Sequence, residues 1–331
     1  MYTDPAPSYT RPSWKSIRTM MNIREGEMEM HGQHQRNLEY DLHFTDRVIA
    51  ATGPAANPRM KQIMPALLRH IHDFAREVDL TVEEWVAGVE MMNEAGRMST
   101  AQRNETQLIC DVLGLESLVD EITSKLLLRT NSSSNNATPS AVLGPFYRAD
   151  SPFLANGSSI ISPLTRNSPW YRTAVPLLAH ISGRVLSAST RKPLANAIID
   201  VWMADPNGLY SQQDRDQPDM NLRGRFRTDE HGRYEMYALR PTAYPIPLDG
   251  PAGRLLRLLD RHPYRPAHIH FIVSAEGYGT LTTQVFDCED KNTGNDVVFA
   301  VKRELLVRFE ERVGDEKAKW ELKYDFLLCE A

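Results

Sequence analysis

The spacing of hydrophobic residues changes near residue 130 of this 331-residue chain, and this change constrains the fold more than any other feature. Before it, apolar residues recur at steps of three and four, most clearly at residues 60–74, which matches the 3.6-residue turn of an α-helix. After it, segments such as residues 267–273 alternate with a period of two, which is typical of a β-strand with two different faces. The sequence therefore predicts an α+β protein in which helices precede strands.

A polar run rich in asparagine and serine lies between these two regions and predicts a linker at residues 129–141. Low-complexity segments of this kind seldom form a packed core. We therefore expect a flexible lead at residues 1–15, a helical N-terminal domain at 16–130 and a β-sandwich domain at 131–331. The sandwich is predicted because the strands are short and are separated by proline and glycine turns.

Local capping and turn signals predict several element boundaries. Thr81 and Glu84 form a capping-box pattern at the start of one helix, and Ser99 with Gln102 offers a second such pattern. The turn at residues 229–232 ends in glycine and predicts a β-hairpin. The predicted strands cover residues 180–186, 197–202, 225–228, 233–236, 267–273 and 320–326.

Charge and cysteine content exclude several classes of protein. The chain has 38 lysines and arginines against 43 aspartates and glutamates, a formal net charge of -5, whereas nucleic-acid-binding domains usually present a basic face. Three scattered cysteines are too few for a disulfide framework or a cysteine-based zinc site. No apolar stretch reaches the roughly 18 residues of a membrane span, and the N-terminus lacks the apolar core of a signal peptide. We therefore expect a cytoplasmic protein without a membrane span or a nucleic-acid partner.

The sharpest local signal for chemistry is the pair His268 and His270. Residues two apart on a strand point to the same face, so both imidazoles would converge on one point. Neutral imidazole is the commonest protein ligand for metals. The alternative interpretation is an exposed strand face with two solvated histidines.

Two tyrosines lie in settings rich in glycine and proline. Tyr210 follows Asn207 and Gly208, and Tyr244 is surrounded by Pro241, Pro245 and Pro247. Proline fixes the backbone at a low entropic cost, so each phenol could be held rigidly. A trivalent metal could then lower the phenol pKa from its ordinary value near ~10. The alternative for either tyrosine alone is an ordinary surface or core aromatic residue.

The order of these residues along the chain resembles that of the intradiol ring-cleaving dioxygenases. Tyr210 and Tyr244 precede the string Arg-Pro-Ala-His-Ile-His at residues 265–270, and Leu-Thr-Thr-Gln follows at 281–284. The string Leu-Gly-Pro-Phe-Tyr at 143–147 adds to the resemblance, which covers nearly the whole chain. It implies that the β-sandwich is the catalytic domain and that one Fe(III) per subunit is bound. The implied iron ligands are Tyr210, Tyr244, His268 and His270.

Within this superfamily the sequence is most similar to the hydroxyquinol 1,2-dioxygenase type, by the strings at residues 108–114, 143–146 and 244–251. The resemblance implies that O2 cleaves hydroxyquinol between adjacent hydroxylated carbons to give 3-hydroxy-cis,cis-muconate, a form of maleylacetate. An acid stands at Asp111, and a carboxylate accepting from the third hydroxyl would discriminate against analogues that lack it. The alternative for Asp111 is an ordinary exposed helix residue.

The resemblance also implies roles for individual residues. Tyr210 and His268 would be equatorial ligands, and Tyr244 and His270 would be axial. Tyr244 would also leave the metal and take a substrate proton. Arg265 would stabilise negative charge on the ring carbon that O2 attacks, and Gln284 would orient bound species. The implied substrate pocket comprises Leu108, Asp111, Val142, Leu143, Gly144, Pro145, Phe146, Ile246, Pro247 and Arg265.

The helical part has a second implied role, because in relatives it forms a dimer interface that commonly encloses lipid. We therefore expect a homodimer through this domain, with a phospholipid as a candidate ligand. Methionine adapts to irregular apolar partners, and the helical part contains Met20-Met21, Met28, Met30 and Met91-Met92. The alternative for these methionines is an ordinary helical core.

Three other functions stay open at this point. The first is the same enzyme class with catechol or a substituted catechol as substrate, giving cis,cis-muconate. The second is a non-catalytic β-sandwich that binds a ligand, since a fold does not fix a function. The third is a zinc protein that uses His268 and His270, but no third zinc-type ligand is evident nearby.

Overall fold

The computed structural model describes residues 41–130 and 136–331. The predicted lead at residues 1–15, the methionines before residue 40 and the polar run at 131–135 lie outside this part of the chain. The chain divides into two compact units, residues 1–80 and 81–331. Helices after residue 80 therefore pack within the unit that holds the strands, and the domain boundary near residue 130 stays a prediction. Within residues 41–130 and 136–331, no helix is long and apolar enough to span a membrane.

The first unit contains two helices in its described part, α1 (Phe44–Ala50) and α2 (Pro58–Glu77). The α2 helix begins after Asn57, whose side chain accepts a hydrogen bond from the Arg59 amide at 2.8 Å and caps the first turn. Thr45 joins the two helices through the side chains of His72 and Arg76, at 3.1 and 2.7 Å. An apolar stripe along α2 stays exposed in the single chain, with Met60, Ile63, Leu67, Ile71 and Phe74 each 40–54% accessible.

The second unit begins with helices that confirm one capping prediction and correct the other. Thr81 starts the helix α3 through a capping box with Glu84. Ser99 is the C-cap of α3 and not an N-cap: its hydroxyl donates to the Ala95 carbonyl at 2.8 Å and accepts from the Glu105 amide at 3.0 Å. Asn104 caps the next helix instead. The helices of this unit are α3 (Val82–Met98), α4 (Glu105–Val112), α5 (Leu115–Thr130), α6 (Tyr171–Ala174) and α7 (Pro251–Leu258).

Twelve strands of the described chain form two five-stranded sheets and one two-stranded ribbon. The first sheet has the order β10-β11-β1-β12, with β4 on β1; the second has the order β3-β2-β7-β8-β9; β5 pairs with β6. The bounds are β1 Leu178–Ser187, β2 Ile198–Trp202, β3 Arg223–Arg227, β4 Arg233–Leu239, β5 Tyr244–Pro245, β6 Tyr264–Arg265, β7 His268–Ser274, β8 Leu281–Asp287, β9 Leu306–Val307, β10 Glu310–Glu311, β11 Trp320–Lys323 and β12 Phe326–Leu328.

The two large sheets pack face to face, which confirms the predicted sandwich. Alternate residues of β7, namely Ile269, Phe271 and Val273, enter one hydrophobic core. Ile181 of β1 and Phe326 of β12 enter the same core from the other sheet. Because side chains alternate along a strand, the residues between those of β7 must face away from this core.

Two strand predictions need correction. The turn at residues 229–232 joins β3 to β4, but these strands belong to different sheets, so the predicted hairpin is wrong. The turn itself is present, with the Gly232 amide donating to the Asp229 carbonyl at 3.0 Å. The predicted strand at 320–326 consists of two short strands, β11 and β12, that pair with successive parts of β1.

A second hydrophobic cluster packs α4 and α7 beside the sandwich. It contains Leu108, Val112, Ile246, Leu256 and Phe286, all buried. This packing holds the inner face of α4 next to the segment that follows β5. Arg103 reinforces the same junction with two hydrogen bonds to Asp249, at 2.8 and 3.0 Å.

Candidate metal centre and substrate pocket

The two histidines of β7 lie on the side of the strand opposite the sandwich core. His268 and His270 are each 2% exposed, and their Nε2 atoms are 3.1 Å apart. The predicted convergence of both imidazoles on one point is therefore present in the structure. The solvated strand face is excluded by this burial.

The two tyrosines complete a group of four donor atoms. Tyr210 lies in the loop after β2, and Tyr244 begins β5. The Tyr210 hydroxyl is 2.8 Å from that of Tyr244 and 3.1 Å from His270 Nε2. The Tyr244 hydroxyl is 3.3 Å from His268 Nε2. Two ligands that each lie about 2.0–2.1 Å from one metal ion are roughly 3 Å apart, so these separations fit a single shared ion.

Glycine allows the two tyrosine segments to approach each other. Gly208 has φ +83, and a Cβ built on it would lie 2.5 Å from the Cβ of Tyr244. Asp205 shapes the same loop, because its Oδ1 accepts from the amides of Asn207 and Leu209 at 2.9 and 3.0 Å. An aspartate that bonds to amides further along the chain is a standard turn device. The loop thus places the Tyr210 hydroxyl next to that of Tyr244.

The protonation of the four donors suits a metal ion. Burial, and then the positive charge of Arg265, hold the pKa of His268 well below its ordinary value; burial and His268 do the same for His270. Both imidazoles are therefore neutral, the form that binds metals. His268 donates from Nδ1 to the Pro266 carbonyl at 2.6 Å, which leaves the Nε2 lone pair facing the group.

The phenols also suit a hard trivalent ion. Burial raises the pKa of Tyr210 and of Tyr244, so both are protonated before a metal arrives. A highly charged ion can displace such protons because it is the largest charge in its site. Within residues 41–130 and 136–331, no cluster of three or more histidine, cysteine, aspartate or glutamate side chains could hold a metal. A site of the usual zinc type is therefore absent from the described chain.

Arg265 is a buried cation fixed beside the four donors. Its position follows from the β5–β6 ribbon, in which it is paired with Tyr244. The guanidinium donates to both carboxylate oxygens of Asp296, at 3.3 and 3.2 Å, and approaches His268 Nε2 at 3.0 Å. Burial alone would lower the pKa of Arg265, but Asp296 more than offsets this and raises it. The side chain therefore stays charged.

Gln284 connects Arg265 to the loop that follows the linker. Its Oε1 accepts from Arg265 Nη2 at 2.9 Å, and its Nε2 donates to the Val142 carbonyl at 2.6 Å. The side chain is fully buried on β8, directly across from His270. Both ends of the amide are thus occupied by the protein, and the expected role of Gln284 in orienting bound species stays a prediction.

A small cleft adjoins the four donors and contains most of the predicted pocket. It is lined by Leu108, Asp111, Gly144, Pro145, Phe146, Tyr210, Tyr244, Ile246, Arg265, His270 and Val298. Three predicted pocket residues lie elsewhere. Pro247 lines an outer groove that shares Phe146, Tyr244 and Ile246 with the cleft. Val142 is buried in the cluster of α4 and α7, and Leu143 packs against the aromatic residues around Tyr210.

Asp111 lies in this cleft, and its surroundings affect its charge. It is 2% exposed, so it is not an exposed helix residue. Burial, together with the neighbouring Glu116, raises its pKa to about 9. A pKa raised in this direction favours the carboxylic acid over the carboxylate at neutral pH, and the role of Asp111 in substrate choice stays a prediction.

Several further residues that surround the donors carry no marker in the sequence that pointed to this site. Trp202 stacks on His270 with ring centroids 4.7 Å apart. The guanidinium carbon of Arg223 lies 5.6 Å from the centre of the Tyr210 ring. Asp296 pairs with Arg265 from 31 residues further along the chain, and Glu116 lies next to Asp111 across the junction of α4 and α5. The only sequence signal for Trp202 was its place at the end of a predicted strand. No local sequence pattern marks Arg223, Asp296 or Glu116 as neighbours of the site.

Comparisons with known proteins show the family of this chain. A family model described as Dioxygenase matches residues 152–330, and one described as Catechol dioxygenase N terminus matches residues 57–126. A catechol 1,2-dioxygenase of Candida albicans is 45% identical over 294 residues, which are 86% of this chain and 91% of that protein. A hydroxyquinol 1,2-dioxygenase of a Rhizobium species is 39% identical over 294 residues, covering 86% and 94%.

A solved structure shares the fold over most of its length. The hydroxyquinol 1,2-dioxygenase of Pseudomonas putida superposes with a TM-score of 0.72 at 36% identity, covering 87% of this chain and 97% of that one. The chain therefore belongs to the intradiol ring-cleaving dioxygenases. Members of this family are enzymes that generally depend on non-haem iron(III).

The close approach at Gly208 generates a prediction with a matched control. Gly208→Ala places a methyl group against Tyr244, so we expect loss of stoichiometric iron and of most ring-cleaving activity. Gly277→Ala has a similar positive φ of +79 but open space around the new Cβ. Both variants carry backbone strain of about 1–2 kcal/mol, which thermal unfolding would report.

Elemental analysis of iron in the two purified variants separates strain from the clash. Full iron content in Gly208→Ala, equal to that of Gly277→Ala, would contradict the role given to this contact.

Proposed function

We propose that this protein is a ferric intradiol dioxygenase that cleaves hydroxyquinol with O2 to 3-hydroxy-cis,cis-muconate. One observation carries the proposal: the hydroxyls of Tyr210 and Tyr244 and the Nε2 atoms of His268 and His270 converge within 2.8–3.3 Å. They do so beside a cleft that contains an acid, Asp111. A non-catalytic sandwich would have no need for four buried metal donors next to a buried cation.

The four donors would hold one Fe(III) ion per subunit. Two phenolates and two neutral imidazoles are hard and borderline ligands that suit a trivalent ion. When bound, the ion would organise the two adjacent substrate hydroxyls and activate the aromatic ring toward O2. This assignment explains why two tyrosines and two histidines are buried together with so few other hydrogen-bond partners.

Arg265 supplies the fixed positive charge of the proposed mechanism. Its guanidinium is held by Asp296 and Gln284, so it cannot rotate away when negative charge develops on the substrate. Charge that is already oriented stabilises a transition state without a reorganisation cost. His268 Nε2 would use its lone pair for the metal, which would free the nearest Arg265 N–H group to face the substrate.

Tyr244 is the proposed acceptor of one substrate proton. Its hydroxyl lies in the cleft and contacts both Tyr210 and His268. A phenolate oxygen at this position could accept the proton of a substrate hydroxyl as general base. Tyr210, deeper in the aromatic cluster and 1% exposed, would stay in place as a permanent ligand.

Asp111 supports hydroxyquinol over catechol as the preferred substrate. Leu108, Phe146, Ile246 and Val298 give the cleft apolar walls, and Asp111 is a polar group among them. A polar group in an apolar site favours a substrate that offers it a hydrogen bond and discriminates against one that does not. Relatives named for catechol and for hydroxyquinol both match at 39–45% identity, so catechol is the second candidate.

The substrate proposal predicts a spectroscopic difference. Iron-loaded protein should have a broad visible charge-transfer band, and hydroxyquinol added without O2 should shift it more than catechol does. We expect kcat/KM for hydroxyquinol to exceed that for catechol by at least about tenfold, the effect of one hydrogen bond worth roughly 1.4 kcal/mol. A larger response to catechol would still support the metal site but would contradict hydroxyquinol as the preferred substrate.

The ligand assignment predicts the effect of removing single donors. Tyr210→Phe and His268→Ala should each lose the visible band, bound iron and activity, since each removes one of four ligands. Tyr264→Phe and His231→Ala alter exposed side chains of the same types and should keep all three properties. Retained iron and turnover in Tyr210→Phe or His268→Ala would remove that residue from the ligand set.

We further propose a cytoplasmic homodimer that forms through the helical region. The exposed apolar stripe of α2 supports this, because contiguous apolar surface on a helix usually has a partner. Sedimentation should give twice the 37.6 kDa chain mass, and Ile71→Glu with Phe74→Glu should give monomers. Arg69→Glu, an exposed position on the same helix, is the control. A monomeric wild-type protein would refute the dimer.

Phospholipid stays a prediction from the resemblance. Extraction of the purified dimer followed by lipid analysis would detect it, and the proposed reaction does not depend on the result.

A further inference from the structure

Asp111 and Glu116 form a buried acid pair at the junction of α4 and α5. Asp111 lines the substrate cleft and is 2% exposed. Among residues 41–130 and 136–331, no N–H group and no hydroxyl donates to its Oδ1 atom. Its carboxyl lies next to that of Glu116, close enough for the two side chains to share a hydrogen bond. Two carboxyl groups can form such a bond only when one of them carries a proton.

The remaining contacts of Glu116 decide which of the two acids is protonated. Glu116 accepts from the Leu143 amide at 2.8 Å and from Gln107 Nε2 at 2.9 Å, and the Gly144 amide is a third donor. Several N–H donors stabilise a carboxylate. Among residues 41–130 and 136–331, no N–H group donates to Asp111 Oδ1, so we place the proton on Asp111, which then donates to Glu116.

The charges around the pair agree with this assignment. Burial would raise the pKa of Glu116, but Asp111 and the N–H donors more than offset it and lower the pKa. Burial and Glu116 raise the pKa of Asp111 to about 9. Two further charges act on Asp111: Arg265 lowers its pKa and Asp296 raises it, and these two neutralise one another in a salt bridge.

Glu116 also fixes the loop that borders a metal-binding histidine. The amides that it accepts from belong to Leu143 and Gly144. Gly144 has φ +79, and a Cβ on it would lie 3.1 Å from Cε1 of His270. The Glu116 carboxylate therefore contacts both Asp111, the acid of the cleft, and the loop that packs against the His270 imidazole.

We propose that Glu116 is a positioning residue that holds Asp111 as a neutral acid, so that the third hydroxyl of a triol meets an uncharged hydrogen-bond partner. This inference rests on the proposed function for the identity of the substrate. A neutral Asp111 donates its proton in a hydrogen bond to Glu116, and its carbonyl oxygen can accept a hydrogen bond from the substrate hydroxyl. It also adds no negative charge to a cleft in which the substrate itself becomes anionic, where a carboxylate would repel it.

Asparagine distinguishes a neutral acid from a carboxylate at position 111. Asp111→Asn keeps a carbonyl oxygen for the substrate and an N–H group for Glu116, whereas Asp111→Ala keeps neither. We expect the ratio of kcat/KM for hydroxyquinol over catechol to stay within about threefold of wild type in Asp111→Asn. The ratio should fall at least about tenfold in Asp111→Ala, as the loss of a buried hydrogen bond predicts. Equal falls in both variants would show that a carboxylate is needed and would overturn the proposal.

Glu116→Gln tests the positioning role, with Glu121→Gln as control on the exposed face of the same helix. Glutamine has one acceptor oxygen in place of two, so it cannot hold the loop amides, Gln107 and the Asp111 proton together. We expect the substrate ratio to fall in Glu116→Gln and to stay unchanged in Glu121→Gln. An unchanged ratio in Glu116→Gln would refute its role.

Infrared spectroscopy tests the shared proton without any substrate. In wild-type protein at neutral pH, the carboxylic-acid carbonyl band should include one component that is missing in Asp111→Asn, shifted or lost in Glu116→Gln and retained in Glu121→Gln. If catechol is the better substrate of the wild type, the proposed substrate is wrong. The infrared measurement still shows whether Asp111 carries the proton. If Asp111→Asn removes no such component, the neutral acid is refuted whichever substrate is turned over.

Discussion

The two-residue alternation of β7 is the constraint on which the rest of the structure depends. Ile269, Phe271 and Val273 enter the sandwich core, so His268 and His270 must face the opposite side. A shift of one residue in the pairing of β7 would place both imidazoles in the core and the apolar residues at the site. The fold and the donor set are therefore specified by the same hydrogen-bonded register, which pairs β7 with β2 and β8.

A second constraint is the balance of charge around a fully buried cation. Arg265 without a partner would cost several kcal/mol, and Asp296 removes that cost by accepting from Nε and Nη2. Asp296 in turn accepts from the amides of Val298 and Ala300, so a backbone segment fixes the carboxylate. The cation can therefore remain in a site whose four donors are neutral before metal binding, and its position is set from outside the metal site.

The four donors were expected from the family resemblance, which rests on short strings whose local geometry depends on their own residues. Tyr210 follows a turn that Asp205 and Gly208 build, and the histidines follow from strand alternation. Contacts between distant segments were not predictable in this way. The turn at 229–232 has the local chemistry of a hairpin, but strand pairing depends on which sheet each strand completes, and β4 pairs with β1. Asp296 lies 31 residues from Arg265, and no periodicity connects them.

The acid pair shows why a substrate preference is harder to derive than a metal site. Asp111 and Glu116 are five residues apart, a spacing that does not bring side chains together on one helix. They meet because α4 ends at Val112 and α5 starts at Leu115, with Gly114 at φ +72 between them. The charge of the pocket acid then depends on amides of a third segment, at Leu143 and Gly144. Identity at position 111 alone therefore does not define the hydrogen-bond partner that a substrate meets; the partner is defined by the three segments that Glu116 holds together.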